Sequence, residues 1–252
     1  MEPLLYPQNR QQSQKKQDTL GALLEIVRER ALTGEFDALR HIPDDIIQRF
    51  RQVGVYRALV PSRFGGDEQG AAAFCELIEQ ISEADGSAGW VASFGMSPVY
   101  LAALPLQTLR HLYAHGPDVV FAGGIFPPQP AQVVAGGMNV RGRWKFASGC
   151  MGADVVGVGI TPQHSDKSGL PRMAVMPRYR VRIEETWNTV GLAGTGSHDL
   201  VVEDVVVPEE WTFVRGSTAN LDEPIFRYPA LAFATQVLSV VGLGVARRAL
   251  NE

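Results

Sequence analysis

The chain has 252 residues, a net charge of −4 and 45% hydrophobic residues, enough for one large folded unit or two smaller ones. That balance excludes a disordered chain and argues against a nucleic-acid partner, which would call for a basic face. The polar stretch from Gln8 to Asp18 lacks a secretory apolar core, and no run reads as long enough to span a membrane, so a soluble cytoplasmic protein without membrane contact is expected.

Leu20, Leu23, Leu24 and Val27 repeat at helical spacing. Pro43-Asp44-Asp45 opens a second helix carrying Ile46, Ile47 and Phe50, with acidic residues suited to a helix N-terminus. Phe74, Leu77, Ile78 and Ile81 form a third stripe, which Asp85-Gly86-Ser87 breaks. Ser87 is expected to cap a fourth helix through Trp90, Val91 and Phe94, and Pro105 to start a fifth that ends near Gly116-Pro117. There the period changes. Strands are predicted at Val119 to Phe121, Val133-Val134, Met138 to Phe146, Val155 to Ile160 and Leu200 to Val207, with a hairpin turn at Gly136-Gly137 and a polar loop from His164 to Gly169. From Pro229 the pattern is helical again. The expected fold class is α+β: a helical domain over 1–117, an antiparallel, barrel-like β domain over 118–216, and an incomplete helical domain over 217–252.

Two stretches carry the chemistry. Arg143-Trp144-Lys145-Phe146-Ala147-Ser148-Gly149-Cys150 and Gly191-Leu192-Ala193-Gly194-Thr195-Gly196-Ser197-His198-Asp199 put small, hydrogen-bonding residues beside β-rich runs. Glycine and serine let backbone approach a flat ligand, and the aromatics beside them can lie along a ring. Either stretch is also compatible with a plain turn. His198 can reach a pocket or sit on a surface turn. His111 and His115 share a helix face but lack an acidic partner motif, Cys75 and Cys150 have no metal-like spacing, and no metal site is expected.

Gly142 to Gly149 resembles the flavin-contacting strand of the acyl-CoA dehydrogenase superfamily. The Ser148-Gly149-Cys150 ending and Gly194 to Asp199 are most similar to its flavin-dependent monooxygenase branch, the oxygenase components of two-component aromatic hydroxylases. Pro61 to Gly66, Asp85 to Val91 and Val205 to Pro208 resemble further landmarks of that superfamily in the same order. The resemblance implies a helical domain, a β domain and a C-terminal helical bundle, of which this chain holds only the start.

For the site, the resemblance implies reduced FMN or FAD contacted by Gly123, Gly124, Phe146, Ser148 and Gly149, with Ser148 at flavin N5 and Phe146 at the ring edge. It implies catalytic roles for Ser148, Ser97 and His198. Ser97 stands where several relatives have a histidine, which favours a substrate needing no phenolate, such as an indole. Gly123-Gly124-Ile125 departs from the threonine and acidic residue of the dehydrogenases. The implied activity is hydroxylation of a small aromatic through a flavin C4a-hydroperoxide. The flavin would be reduced by a separate reductase, since no Gly-x-Gly-x-x-Gly follows a strand. The alternatives are an acyl-CoA dehydrogenase and a non-catalytic remnant or interaction subunit. A homotetramer is expected once the bundle is complete. Without it, the apolar positions around Phe233 to Ala246 are expected to lack partners, so the chain would bind flavin poorly and aggregate.

Overall fold

The computed structural model describes residues 7–163 and 169–252, with side chains from residue 19 onward; the predicted polar loop therefore lies, Gly169 apart, outside the described residues. The helices come in the expected places. Helix α1 (Pro7–Leu32) buries Leu23 and Val27, α3 (Asp44–Val53) buries Ile46, Ile47 and Phe50, and α4 (Ala71–Ala84) buries Phe74, Ile78 and Ile81. A short α2 (Glu35–Leu39) was not predicted, being too brief to carry a period. Helix α5 (Gly86–Ser93) is capped by Asp85 rather than by Ser87. Asp85 is extended, and its carboxylate accepts the Ala88 N–H at 2.7 Å, while Ser87 lies buried inside the first turn. Helices α6 (Pro98–Leu101) and α7 (Leu106–Leu112) complete the helical part before the sheet.

Seven strands follow: β1 (Phe121–Val134), β2 (Gly137–Ala147), β3 (Val155–Pro162), β4 (Arg172–Pro177), β5 (Arg182–Glu184), β6 (His198–Val207) and β7 (Thr212–Val214). Their order is β5-β6-β2-β1-β3-β4-β7, with β1 and β3 parallel and the other pairs antiparallel. The single parallel pair departs from the all-antiparallel expectation. It arises because β1 serves both halves: its N-terminal part pairs with β3, and from Gln132 it also pairs with β2. The predicted strands at Val119 and Val133 are thus one strand. Pro127 and Pro128 hid the continuity, but they fall in the register break between Gly124 and Gln129, where no ladder donor is needed. The hairpin turn is Ala135-Gly136, with Gly136 at φ +90°.

Alternation along β1 and β4 sorts two cores. Phe121, Met173 and Val175 face the helices. Ala122, Ala174 and Met176 face an inner core around Trp144, which is fully buried and donates its indole N–H to the Gly159 carbonyl at 2.7 Å. Arg51 grips both oxygens of Asp154, whose carboxylate also accepts the Val120 N–H, tying α3 to the head of β1.

Helix α8 (Ala230–Asn251) lies against α4 and α5 through Phe233, Val237, Val241 and Gly244. A Cβ on Gly244 would come within 2.6 Å of the Glu79 carbonyl, so glycine permits the close crossing. Against expectation, α8 is by length and composition apolar enough to cross a membrane. Only one of its faces is buried, with Leu243, Val245 and Leu250 exposed.

Candidate active site

The two sequence stretches meet. Gly149 N–H donates to the Thr195 carbonyl at 2.8 Å, and Ala147 stands opposite His198 in the β2–β6 ladder. The crossing lets side-chain hydroxyls line up. Trp90 Nε1–H, from α5, donates to Ser148 Oγ at 3.0 Å. Ser148 Oγ lies 2.7 Å from Ser197 Oγ, which lies 2.7 Å from Thr195 Oγ1. Thr195 donates its own hydroxyl proton to the Leu192 carbonyl at 2.9 Å. That last bond orients the chain of hydroxyls: Thr195 must accept from Ser197, and Ser197 from Ser148. Ser148 therefore spends its one proton on Ser197, accepts from Trp90, and keeps one free lone pair. A turn serine has become a buried, oriented acceptor, 7% exposed.

Beside it lies an apolar shelf. Phe146 is 64% exposed and holds φ +61°, a left-handed conformation costly for a bulky side chain. Its ring meets Trp187 edge-on at 6.1 Å. Trp187 is held from behind: its N–H donates to His198 Nδ1 at 3.1 Å, and Thr186 donates to Asp199 Oδ1 at 2.9 Å. Asp199 is fixed in turn by Arg143 Nε at 2.7 Å. His198 is thus neither a surface turn residue nor on the cavity wall described below. It is 1% exposed, and burial pushes its imidazole below the ordinary histidine range, with Glu185 drawing the other way. Gly194 and Gly196 make the motif fit, since a Cβ on either would press within 3 Å of Phe36 or His41. Cys150 is buried, its thiol pushed up to about 12 by burial.

On the other side of Trp90 is a cavity of about 130 Å³, a size that holds a small ring. Trp90 meets Phe94 edge-on at 6.5 Å, and Phe94 forms part of the wall. Ser97, Tyr100, Phe121, Gly123 and Arg215 are also on it. The predicted pair Gly123 and Gly124 is split by strand alternation. Gly123 faces the cavity, but Gly124 points inward, where a Cβ would sit 2.8 Å from Trp144 Cβ. Sequence reasoning missed Trp90 as a partner of Ser148, and also Trp187 and Arg215. Trp90 lay in a stretch already marked by its helix break, but neither Trp187 nor Arg215 belongs to a periodic or motif signal.

A flat heteroaromatic ring fits this surface: an exposed aromatic shelf, a buried acceptor, and small residues at Ser148 and Gly149. Together with the fold, these features define a flavoprotein oxygenase. The chain belongs to the flavin-dependent monooxygenases built on the acyl-CoA dehydrogenase fold. A protein of Pseudomonas putida named indole-3-acetate monooxygenase is 71% identical over 231 residues, 92% of this chain and 59% of that protein. The oxygenase component of an FADH(2)-dependent resorcinol hydroxylase from Rhizobium sp. (strain MTP-10005) is 32% identical over 235 residues, 88% of this chain and 57% of the relative. The crystal structure of 3-HSA hydroxylase from Rhodococcus sp. RHA1 matches with a TM-score of 0.84 at 32% identity, covering 94% of this chain and 63% of that one. The chain thus spans a little over half the length of these relatives. No protein-family model matches it.

Proposed function

We propose that this chain forms the ring-binding and substrate-binding part of the oxygenase component of a two-component monooxygenase acting on a small indole-like aromatic. A separate reductase delivers reduced FMN or FAD. The observation that carries the reading is the buried acceptor Ser148, linked through Trp90 and Phe94 to an apolar cavity. Bound reduced flavin supplies the two electrons that let dioxygen give one atom to the substrate and the other to water.

The protein's part is to bind, orient and exclude water. Ser148 offers its lone pair to an N–H donor. Reduced flavin carries such a donor at N5 and oxidised flavin does not, so the oriented hydroxyls favour the reduced form. Phe146 and Trp187 cover one edge of the ring, and Gly149 leaves room for it. His198 acts through Trp187 as a positioning residue. Ser97 presents no imidazole base to the cavity, which suits an electron-rich indole better than a phenol. Residues 1–117 supply Trp90 and the cavity's helical wall, 118–216 the hydroxyls and shelf, and 217–252 the helix that backs them. The relative's name makes indole-3-acetate the first substrate to offer.

The test supplies protein with chemically reduced flavin, indole-3-acetate and ¹⁸O₂, and follows the product by mass. One labelled oxygen atom per product molecule is expected. Formation of enoyl-CoA from acyl-CoA with an electron acceptor would establish the dehydrogenase reading instead, and the absence of both products would favour a non-catalytic role.

A further inference from the structure

We infer that Arg215 anchors a carboxylate on the substrate, so that the cavity selects aromatic acids over their neutral analogues. The inference rests on the cavity being the substrate site proposed above. Arg215 follows β7, and its backbone N–H donates to the Pro171 carbonyl at 3.1 Å, beside the Arg172–Val214 register pair. The β4–β7 ladder therefore fixes its root.

Its side chain turns to the cavity, where it is the only charged group on a wall otherwise made of apolar residues, Gly123, Ser97 and Tyr100. The guanidinium carbon lies 5.6 Å from the centroid of the Tyr100 ring. Stacking of this kind holds a guanidinium by its face and leaves its edge N–H groups free for a planar, two-pronged acceptor. Arg51, Arg57 and Arg143 each reach carboxylates. Among the described residues Arg215 reaches none, and the cavity wall contains no acidic residue. A partly buried cation beside apolar walls makes a neutral ligand leave it unsatisfied. A carboxylate completes it with charge-assisted hydrogen bonds.

Tyr100 supports the same geometry. It stands one turn after Ser97, with its N–H donating to the Ser97 carbonyl at 3.0 Å. Burial raises its phenol above the ordinary range while Arg215 draws it back, which places the phenol within the guanidinium's field. Tyr100 and Arg215 thus define a polar corner in a cavity whose other walls, Phe121, Phe213, Ile125 and Met173, suit a ring.

Indole-3-acetate and indole-3-acetamide differ by charge at nearly equal shape, and so test the assignment. Binding to the wild-type protein, by calorimetry, and turnover with reduced flavin are measured for both, then repeated in Arg215→Gln and Arg215→Lys. The wild type should prefer the acid by about 10- to 100-fold, the range for a charge-assisted pair. Arg215→Gln should bring that ratio near one through KM, with binding of the amide retained, and Arg215→Lys should keep part of it. An acid-to-amide ratio near one in the wild type would overturn the inference, and that arm needs no variant to fold. An unchanged ratio in Arg215→Gln would do the same. Weakened binding of reduced FMN but not of reduced riboflavin in Arg215→Gln, with the acid ratio intact, would reassign the anion to the flavin phosphate. Failure of both acid and amide to bind the wild type would refute the substrate site itself.

Discussion

Removal of the Ser148 hydroxyl tests the oriented chain of hydroxyls most directly. In Ser148→Ala the Trp90 indole N–H loses its acceptor and Ser197 loses its incoming donor. Stranding a partly buried donor and losing a second bond together cost about 2 kcal/mol. Trp90→Phe removes the donor itself and leaves Ser148 bonded to Ser197, a loss of about 1 kcal/mol. In the double variant no donor is stranded, so its cost should be about 2 kcal/mol rather than about 3, a coupling of about 1 kcal/mol. For a chain of this size the Ser148→Ala loss corresponds to a fall in Tm of about 4–8 °C. Urea denaturation of the four proteins measures the cycle. The same variant should weaken reduced-flavin binding about 5- to 10-fold, one lost hydrogen bond, and leave oxidised-flavin binding unchanged. Additive stability losses would refute the Trp90–Ser148 bond. An equal effect on both flavin forms would refute the acceptor role.

Gly124→Ala should destabilise by about 1–3 kcal/mol because its Cβ meets Trp144 at 2.8 Å, whereas Gly123→Ala, with its nearest contact at 3.5 Å, should fold normally and weaken aromatic ligand binding; thermal melts and ligand titration separate the two. Phe146→Gly should leave stability unchanged or raise it by about 1 kcal/mol by relieving the left-handed backbone, while flavin titration shows weaker binding; a marked loss of stability would show that the exposed ring is structural. His198 is held below its unfolded pKa by burial, so the unfolded chain binds more protons. Stability should therefore be full above about pH 6.5 and fall as pH drops from there toward the lowered folded value, and a His198→Asn protein with the same pH slope would exclude this group as the source.

Much of this molecule was readable from residue order. The stripes Leu23/Val27, Ile46/Ile47/Phe50 and Phe74/Ile78/Ile81 became the buried faces of α1, α3 and α4. Helical periodicity is a local property, and nothing later in the chain overrode it. The strands at Met138, Val155 and Leu200 were equally plain. The two glycine- and serine-rich stretches could be singled out because small residues beside aromatics are locally unusual. What remained hidden was non-local. Ser148 and Ser197 are 49 positions apart and Trp90 and Ser148 are 58 apart, so only the β2–β6 register and the docking of α5 bring their hydroxyls and indole together. Whether Gly123 or Gly124 faces the cavity depends on strand phase, which a run broken by prolines does not reveal. Arg215 shares no motif with Tyr100 and meets it only because β7 pairs with β4. Periodicity writes each element into its own stretch of sequence, but a site is assembled from the ends of several elements, and their meeting is decided by packing.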